Sequence, residues 1–239
     1  MNLGATEALK LTSFLTAVAL LVQNLEFWRL RRKLESLSLR FCPRVFSALL
    51  GLQLASLLAL NVSSTSGPAA VSVLFASTLL ISVHFRGRFS GGADSMGLVL
   101  LSGLSVAAWW PEHSSTALIY IGVQSTLSYL IAGVAKLWRA RWRTGAALLS
   151  FFAKTSPYDV PRGFEALLGR AHFARGVSWF IILFELSLGA ALFDSKWLLV
   201  WVSAAIAFHF LNFVAFGLNR FWWVWISSYP ALFYLAQTL

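Results

Sequence analysis

Residues 114–138 read SSTALIYIGVQSTLSYLIAGVAKLW, and no charged side chain interrupts them before Lys136. A helix crossing a bilayer needs about 20 consecutive, mostly apolar residues, so the stretch reads as a transmembrane span. The same pattern repeats outward in both directions. Apolar runs cover roughly 11–28, 45–62, 68–83 and 95–111 before it, and roughly 176–193, 197–219 and 221–239 after it. Short polar breaks divide them, among them Ser63-Ser64-Thr65-Ser66-Gly67-Pro68, His84 to Arg88, Pro111-Glu112-His113, Asp194-Ser195-Lys196 and Arg220. The expected architecture is an all-α, polytopic transmembrane helix bundle of about eight spans, a single transmembrane domain over residues 1–239.

Residues 139–175 depart from the pattern. They are rich in arginine, are broken near Pro157 and Pro161, and set Phe, Leu and Ala among Lys154, Arg162, Glu165 and Arg170. Such pieces predict amphipathic helices lying along the interface between the fifth and sixth spans.

Composition agrees with a lipid solvent. The chain is 58% hydrophobic and 12% charged, against about half and a quarter in soluble domains, which leaves no room for a large soluble domain. Its formal charge of +10 follows from membrane topology before it suggests a partner, and no nucleic acid is expected. Cys42 is the only cysteine, which excludes an internal disulfide, a redox pair and a thiolate metal cage. With residues 29–44 placed inside, all but Lys10 and Lys196 of the 19 basic residues fall on the cytoplasmic side. That partition predicts a multi-pass protein of the inner (cytoplasmic) membrane with both termini outside. Arg29, Arg31, Arg32 and Lys33 follow the first run rather than precede it, so that run reads as an uncleaved anchor. Trp109, Trp110, Trp138, Trp142, Trp197, Trp222 and Trp223 cluster at run ends, where they serve as interfacial anchors.

Polar residues inside the runs are the candidates for chemistry, because a charge near the bilayer centre costs at least about 2.5 kcal/mol. Glu185 lies about 15 Å along its helix from Arg175, and His209 about 16 Å from Arg220 on a helix running back, so the two can share a level. Asn212, three residues after His209, shares its face. Two readings stay open: a substrate- or proton-handling site, or hydrogen bonds that hold helices together. For Lys136, three residues before Arg139, snorkelling of the ammonium to the headgroups is favoured on physical grounds alone. A fifth helix continued through Arg143 would instead bring it toward the bundle, where a buried lysine is a usable general base. Asp94, after two glycines, is expected to cap the fourth span. Glu26 pairs most simply with Arg29 within one helix. His84, His113 and His172 read as interfacial, and no HExxH-type spacing marks a metal site, so no metal is expected.

Leu127-Ser128-Tyr129-Leu130-Ile131-Ala132-Gly133-Val134-Ala135-Lys136-Leu137, followed by Trp142 and Gly145, resembles the catalytic-lysine region of the vitamin K-dependent gamma-glutamyl carboxylase family. Asp94 after Gly91-Gly92 resembles the bacterial branch, the horizontally transferred transmembrane (HTTM) domain proteins. Glu185-Leu186-Ser187 is similar to a carboxylase acidic segment and Phe208-His209-Phe210-Leu211-Asn212 to its His–Asn segment. The likeness covers roughly residues 80–239. It implies Lys136 as the base that deprotonates reduced vitamin K or another quinol, with Glu185 and His209 beside it and Asn212 and Asp94 in the binding role, and with a peptide or lipid-soluble substrate. Gly91-Gly92-Ala93 stands where the animal enzyme has Asn-Asn-His, and the sequence ends at Leu239 without that enzyme's large luminal domain. The membrane core is thus implied more directly than carboxylation of protein glutamate. The resemblance also extends to small bacterial HTTM proteins that act with a membrane or soluble partner in maturing secreted peptide toxins of the sporulation-delaying type. That is the alternative, non-enzymatic expectation.

Overall fold

A computed structural model describes residues 3–34, 41–62, 67–85, 92–155, 170–216 and 219–239, without the side chains of 31–34, 61–62, 151–155 and 215–216. The turn at 63–66, Arg86, Arg88 and the broken stretch around Pro157 and Pro161 lie outside it. No strand occurs among the described residues. Among the described residues the helices are α1 (Ala5–Leu34), α2 (Pro43–Val62), α3 (Gly67–His84), α4 (Gly92–Trp109), α5 (Ser114–Trp138), α6 (Ala140–Arg143), α7 (Ala146–Thr155), α8 (Ala171–Ala191), α9 (Ser195–Phe216) and α10 (Asn219–Ala236), with a 3-10 turn at Pro111–His113. Seven of them are long and apolar enough to cross a membrane. Phe14, Leu58, Ile131, Phe180 and Leu211 each leave more than 60% of their surface uncovered. Apolar surface on that scale calls for lipid rather than water, and the protein is an all-α, multi-pass membrane protein.

The eighth long helix, α10, is less apolar for a reason visible in its packing. Val224, Trp225 and every residue from Ser227 to Leu232 are buried, including Ser227, Ser228 and Pro230. Ser227 and Ser228 donate to the Trp223 and Trp225 carbonyls of their own helix. In a helix covered by protein, neighbouring groups can satisfy the backbone that a proline frees.

Contacts divide the chain into two compact units, residues 2–122 with 223–234, and residues 123–222 with 235–239. In the first, α2 packs on α1 and α3, and α3 on α4. The pairings are antiparallel: Leu20, Leu57 and Leu74 meet in one apolar cluster, and Phe27, Phe46, Leu50, Ile81 and Phe85 in another. In the second, α8 packs against α6, α7 and α9. Asp194 opens α9, its Oδ1 accepting the N–H groups of Lys196 at 2.8 Å and Trp197 at 3.1 Å, an N-terminal cap supplied by the side chain.

Candidate functional site

In the second unit α5 and α8 run antiparallel in a register that can be followed residue by residue. Leu130 lies against Gly189, and Gly133 against Leu186 and Glu185. Lys136 follows one turn later and pairs with Glu185, its Nζ donating to Oε1 and Oε2 at 2.6 Å each. Beyond the helix end the Ser178 hydroxyl donates to the Trp142 carbonyl, and Gly145 meets the backbone of Ala174 and Arg175. Gly133 makes the approach possible, since a Cβ there would stand 2.9 Å from Leu186 and 3.2 Å from the Cβ of Glu185.

The lysine therefore does not snorkel. A carboxylate within direct reach is a stronger partner for an ammonium than hydrated headgroups, and the side chains of Lys136 and Glu185 are left only 19% and 7% exposed. Nor does α5 continue through Arg143: Arg139 is extended at φ −89°, ψ 115°, and a new turn begins at Ala140. Trp142 is level with Ser178, seven residues or about 10 Å along α8 from Glu185, and Arg139, Arg141 and Arg143 around it are exposed, as is Arg175 on α8.

A second polar pair lies next to the first. The Tyr129 hydroxyl is 2.6 Å from His209 Nε2, and both side chains are buried. Tyr129 stands seven residues, about two turns, before Lys136, on the same face of α5. Around the pair Trp201 meets Tyr129 edge-on at 4.8 Å, Phe184 stacks on Trp201 at 4.7 Å, and Phe208 and Phe221 contact the imidazole at 5.2 and 5.3 Å. The Trp201 indole N–H donates to the Phe184 carbonyl at 3.1 Å. The dipeptide Phe184-Glu185 thus joins the two pairs, its ring and carbonyl toward Tyr129 and Trp201 and its carboxylate on Lys136. Asn212 is half-buried one turn after His209, outside both pairs. Asp94 belongs to the other unit, inside the first turn of α4 rather than ahead of it.

The chain matches no family model, no curated protein and no solved structure. What the site can do must be read from its side chains: an amine and a carboxylate that can exchange a proton, and a phenol–imidazole pair in an aromatic surround. Among the described residues no three His, Cys, Asp or Glu side chains gather as a metal site would need.

Tyr129 went unnoticed as a site residue because a tyrosine in an apolar run reads as core. A neutral network in the first unit was missed as well. Asn24 Nδ2 donates to the Leu50 carbonyl at 2.9 Å and to Gln53 Oε1 at 3.2 Å, and Gln53 Nε2 donates to Thr78 Oγ1 at 2.9 Å, joining α1, α2 and α3. The signal was present in Asn24 and Gln53, amides within apolar runs. His84, expected at the interface, ends α3 and is covered there by protein, stacked on Phe46 at 4.7 Å, with Nδ1 accepting the Phe41 N–H at 3.0 Å.

Proposed function

We propose that this membrane protein is of the bacterial HTTM type and carries a carboxylase-like intramembrane site in which Lys136 takes a proton from a quinol, for chemistry on a peptide or lipid-soluble substrate. The observation supporting this reading is the Lys136 amine, held at 2.6 Å by Glu185 between two membrane helices where a snorkelling lysine would lie in the headgroups. A lysine in that pair is a poor base while it stays cationic. Passing one proton from Nζ to the Glu185 carboxylate leaves a neutral amine beside a neutral acid, with no change of net charge in a low-dielectric setting. The freed amine can then accept a proton from a hydroxyl placed against it. Arginine could not do this, since guanidinium stays protonated. His209, fixed by Tyr129, keeps a supporting role.

The residues present fit a reduced naphthoquinone: a partly exposed amine, with the Trp142 ring 5.2 Å from it and Phe184 adjoining its carboxylate partner. When bound, such a quinol supplies an acidic hydroxyl and a reducing ring. The test is saturable binding of a naphthoquinol to the folded protein in nanodiscs. Binding is expected for the wild type, and any quinol-linked turnover is expected to vanish in both Lys136→Met and Lys136→Arg. Absence of saturable binding by folded wild-type protein refutes the quinol reading.

The second reading is a non-enzymatic partner in maturing a secreted peptide toxin, and Gly133 favours it: the close α5–α8 contact makes the ion pair a helix clamp in its own right. In either case the basic-residue partition supports a place in the cytoplasmic membrane with both termini outside. With Cys42 replaced, a cysteine at Ser195 should react with an impermeant thiol reagent on intact cells, and one at Thr144 should not. The reverse pattern would invert the topology.

A further inference from the structure

Trp142 differs from Trp138, its neighbour at the end of α5. Trp138, four residues earlier, is 81% exposed, as an anchor in the headgroups should be, whereas Trp142 is half-buried. Its ring centroid lies 5.2 Å from Lys136 Nζ, within the range where an aromatic face attracts an ammonium. Three features hold it there. Extended Arg139 turns the chain off the axis of α5, and the Ser178 hydroxyl anchors the Trp142 carbonyl to α8. Gly145 closes the segment at φ +82°, with its α-carbon so near α8 that a Cβ would stand 2.6 Å from Arg175 N and 2.7 Å from Ala174 C. A residue with a side chain is excluded there twice, by the left-handed backbone and by the contact itself.

We propose that Trp142 is a positioning residue for Lys136: α6 is strapped to α8 so that the indole covers the ammonium held by Glu185, and the amine reaches a substrate only when that cover moves. The inference deepens the reading of Lys136 as the base of the site. The strap itself depends only on the protein.

Its test needs no quinol. The protein in nanodiscs is treated with a small membrane-permeant isothiocyanate, and modification of Lys136 is followed by peptide mass spectrometry relative to exposed Lys196. Only the uncharged amine can add to the isothiocyanate carbon to form a thiourea, so labelling requires Lys136 to lose its proton and leave its contacts. Removing a cation–π contact in Trp142→Leu should raise the relative rate at least about threefold. Trp142→Phe, which keeps an aromatic face, should return most of the way to wild type, and Ser178→Ala should fall between. An unchanged rate in folded Trp142→Leu overturns the proposal, as does a Trp142→Phe rate equal to that of Trp142→Leu, since packing alone would then account for the ring. Should Trp142→Leu lose its fold, Ser178→Ala decides: a rise supports the strap and no change overturns it. Failure of quinol binding with these rates as expected would refute the proposed chemistry and leave the strap standing.

Discussion

In the unit built on α1 to α4, three helices are joined by Asn24, Gln53 and Thr78, none of which ionises. In the unit of residues 123–222, helices are joined by Lys136, Glu185, Tyr129 and His209, each of which can gain or lose a proton. The amide network has its orientation set by the Leu50 carbonyl, which accepts from Asn24 Nδ2 and would repel Oδ1. It needs no counter-charge and tolerates errors, because a chain unfolded within the membrane finds other hydrogen-bond partners. The ion pair has no such freedom, since either charge left alone in lipid costs several times more. The first half joins its helices with amides, although it also buries His84; the chemistry proposed for the second half rests on its two ionisable pairs.

The widest separation between the two regions should come from removing one charge. Glu185→Leu leaves the Lys136 ammonium without its carboxylate, and loss of one partner of a buried pair costs about 3–5 kcal/mol. The double variant Lys136→Met with Glu185→Leu should regain most of that, because apolar residues of similar volume replace a buried pair at little cost. Reversible unfolding in mixed detergent, followed by circular dichroism, gives both values. A single-variant cost below about 1 kcal/mol would place the pair among solvated surface bridges and erase the contrast.

Glycines sharpen it further. Gly133 lies where α5 touches α8, and added volume at a filled contact costs about 1–3 kcal/mol; Leu186 can yield, but the Cβ of Glu185 is fixed to its helix. Gly51 of α2 has nothing within 4 Å of a new Cβ, and Gly to Ala in an open helical position gains up to about 1 kcal/mol. The expected results are a lower midpoint for Gly133→Ala in the same unfolding assay and an unchanged or higher one for Gly51→Ala. Equal effects would mean that helix propensity, not the α5–α8 approach, governs both.

The spans were legible because the bilayer sets their length: α5 begins and ends where the apolar run 114–138 does. The residues of the ion pair were legible too, each being a charge inside an apolar run. Their meeting was not. Depth counted from Arg175 put Glu185 near the midplane, and depth counted from Arg139 put Lys136 in the headgroups. Only the break at Arg139, which lets α6 follow α8 past Ser178, reconciles the two. Breaks of that kind come from tertiary contact, and Gly145 was their only sequence trace. Tyr129 stayed hidden because its partner lies 80 residues away and its ring reads as core.

The smallest effect belongs to Gln53, and it decides whether the comparison holds. Gln53→Leu removes the link between Asn24 and Thr78 but strands little. Asn24 still donates to the Leu50 carbonyl, and the Thr78 hydroxyl can turn to a carbonyl of its own helix, as threonine commonly does. Interhelical hydrogen bonds in membrane proteins average about 0.6 kcal/mol in double-variant cycles, and a loss of that order is expected from the unfolding midpoint. Asn24→Leu combined with Gln53→Leu should cost less than the sum of the two, because the single variants share one bond. Quinol binding and the labelling rate of Lys136 should be those of the wild type in both. If Gln53→Leu instead destabilises the protein as much as Glu185→Leu, or abolishes binding, then the neutral network is more than helix packing and chemistry cannot be assigned to the ionisable unit alone.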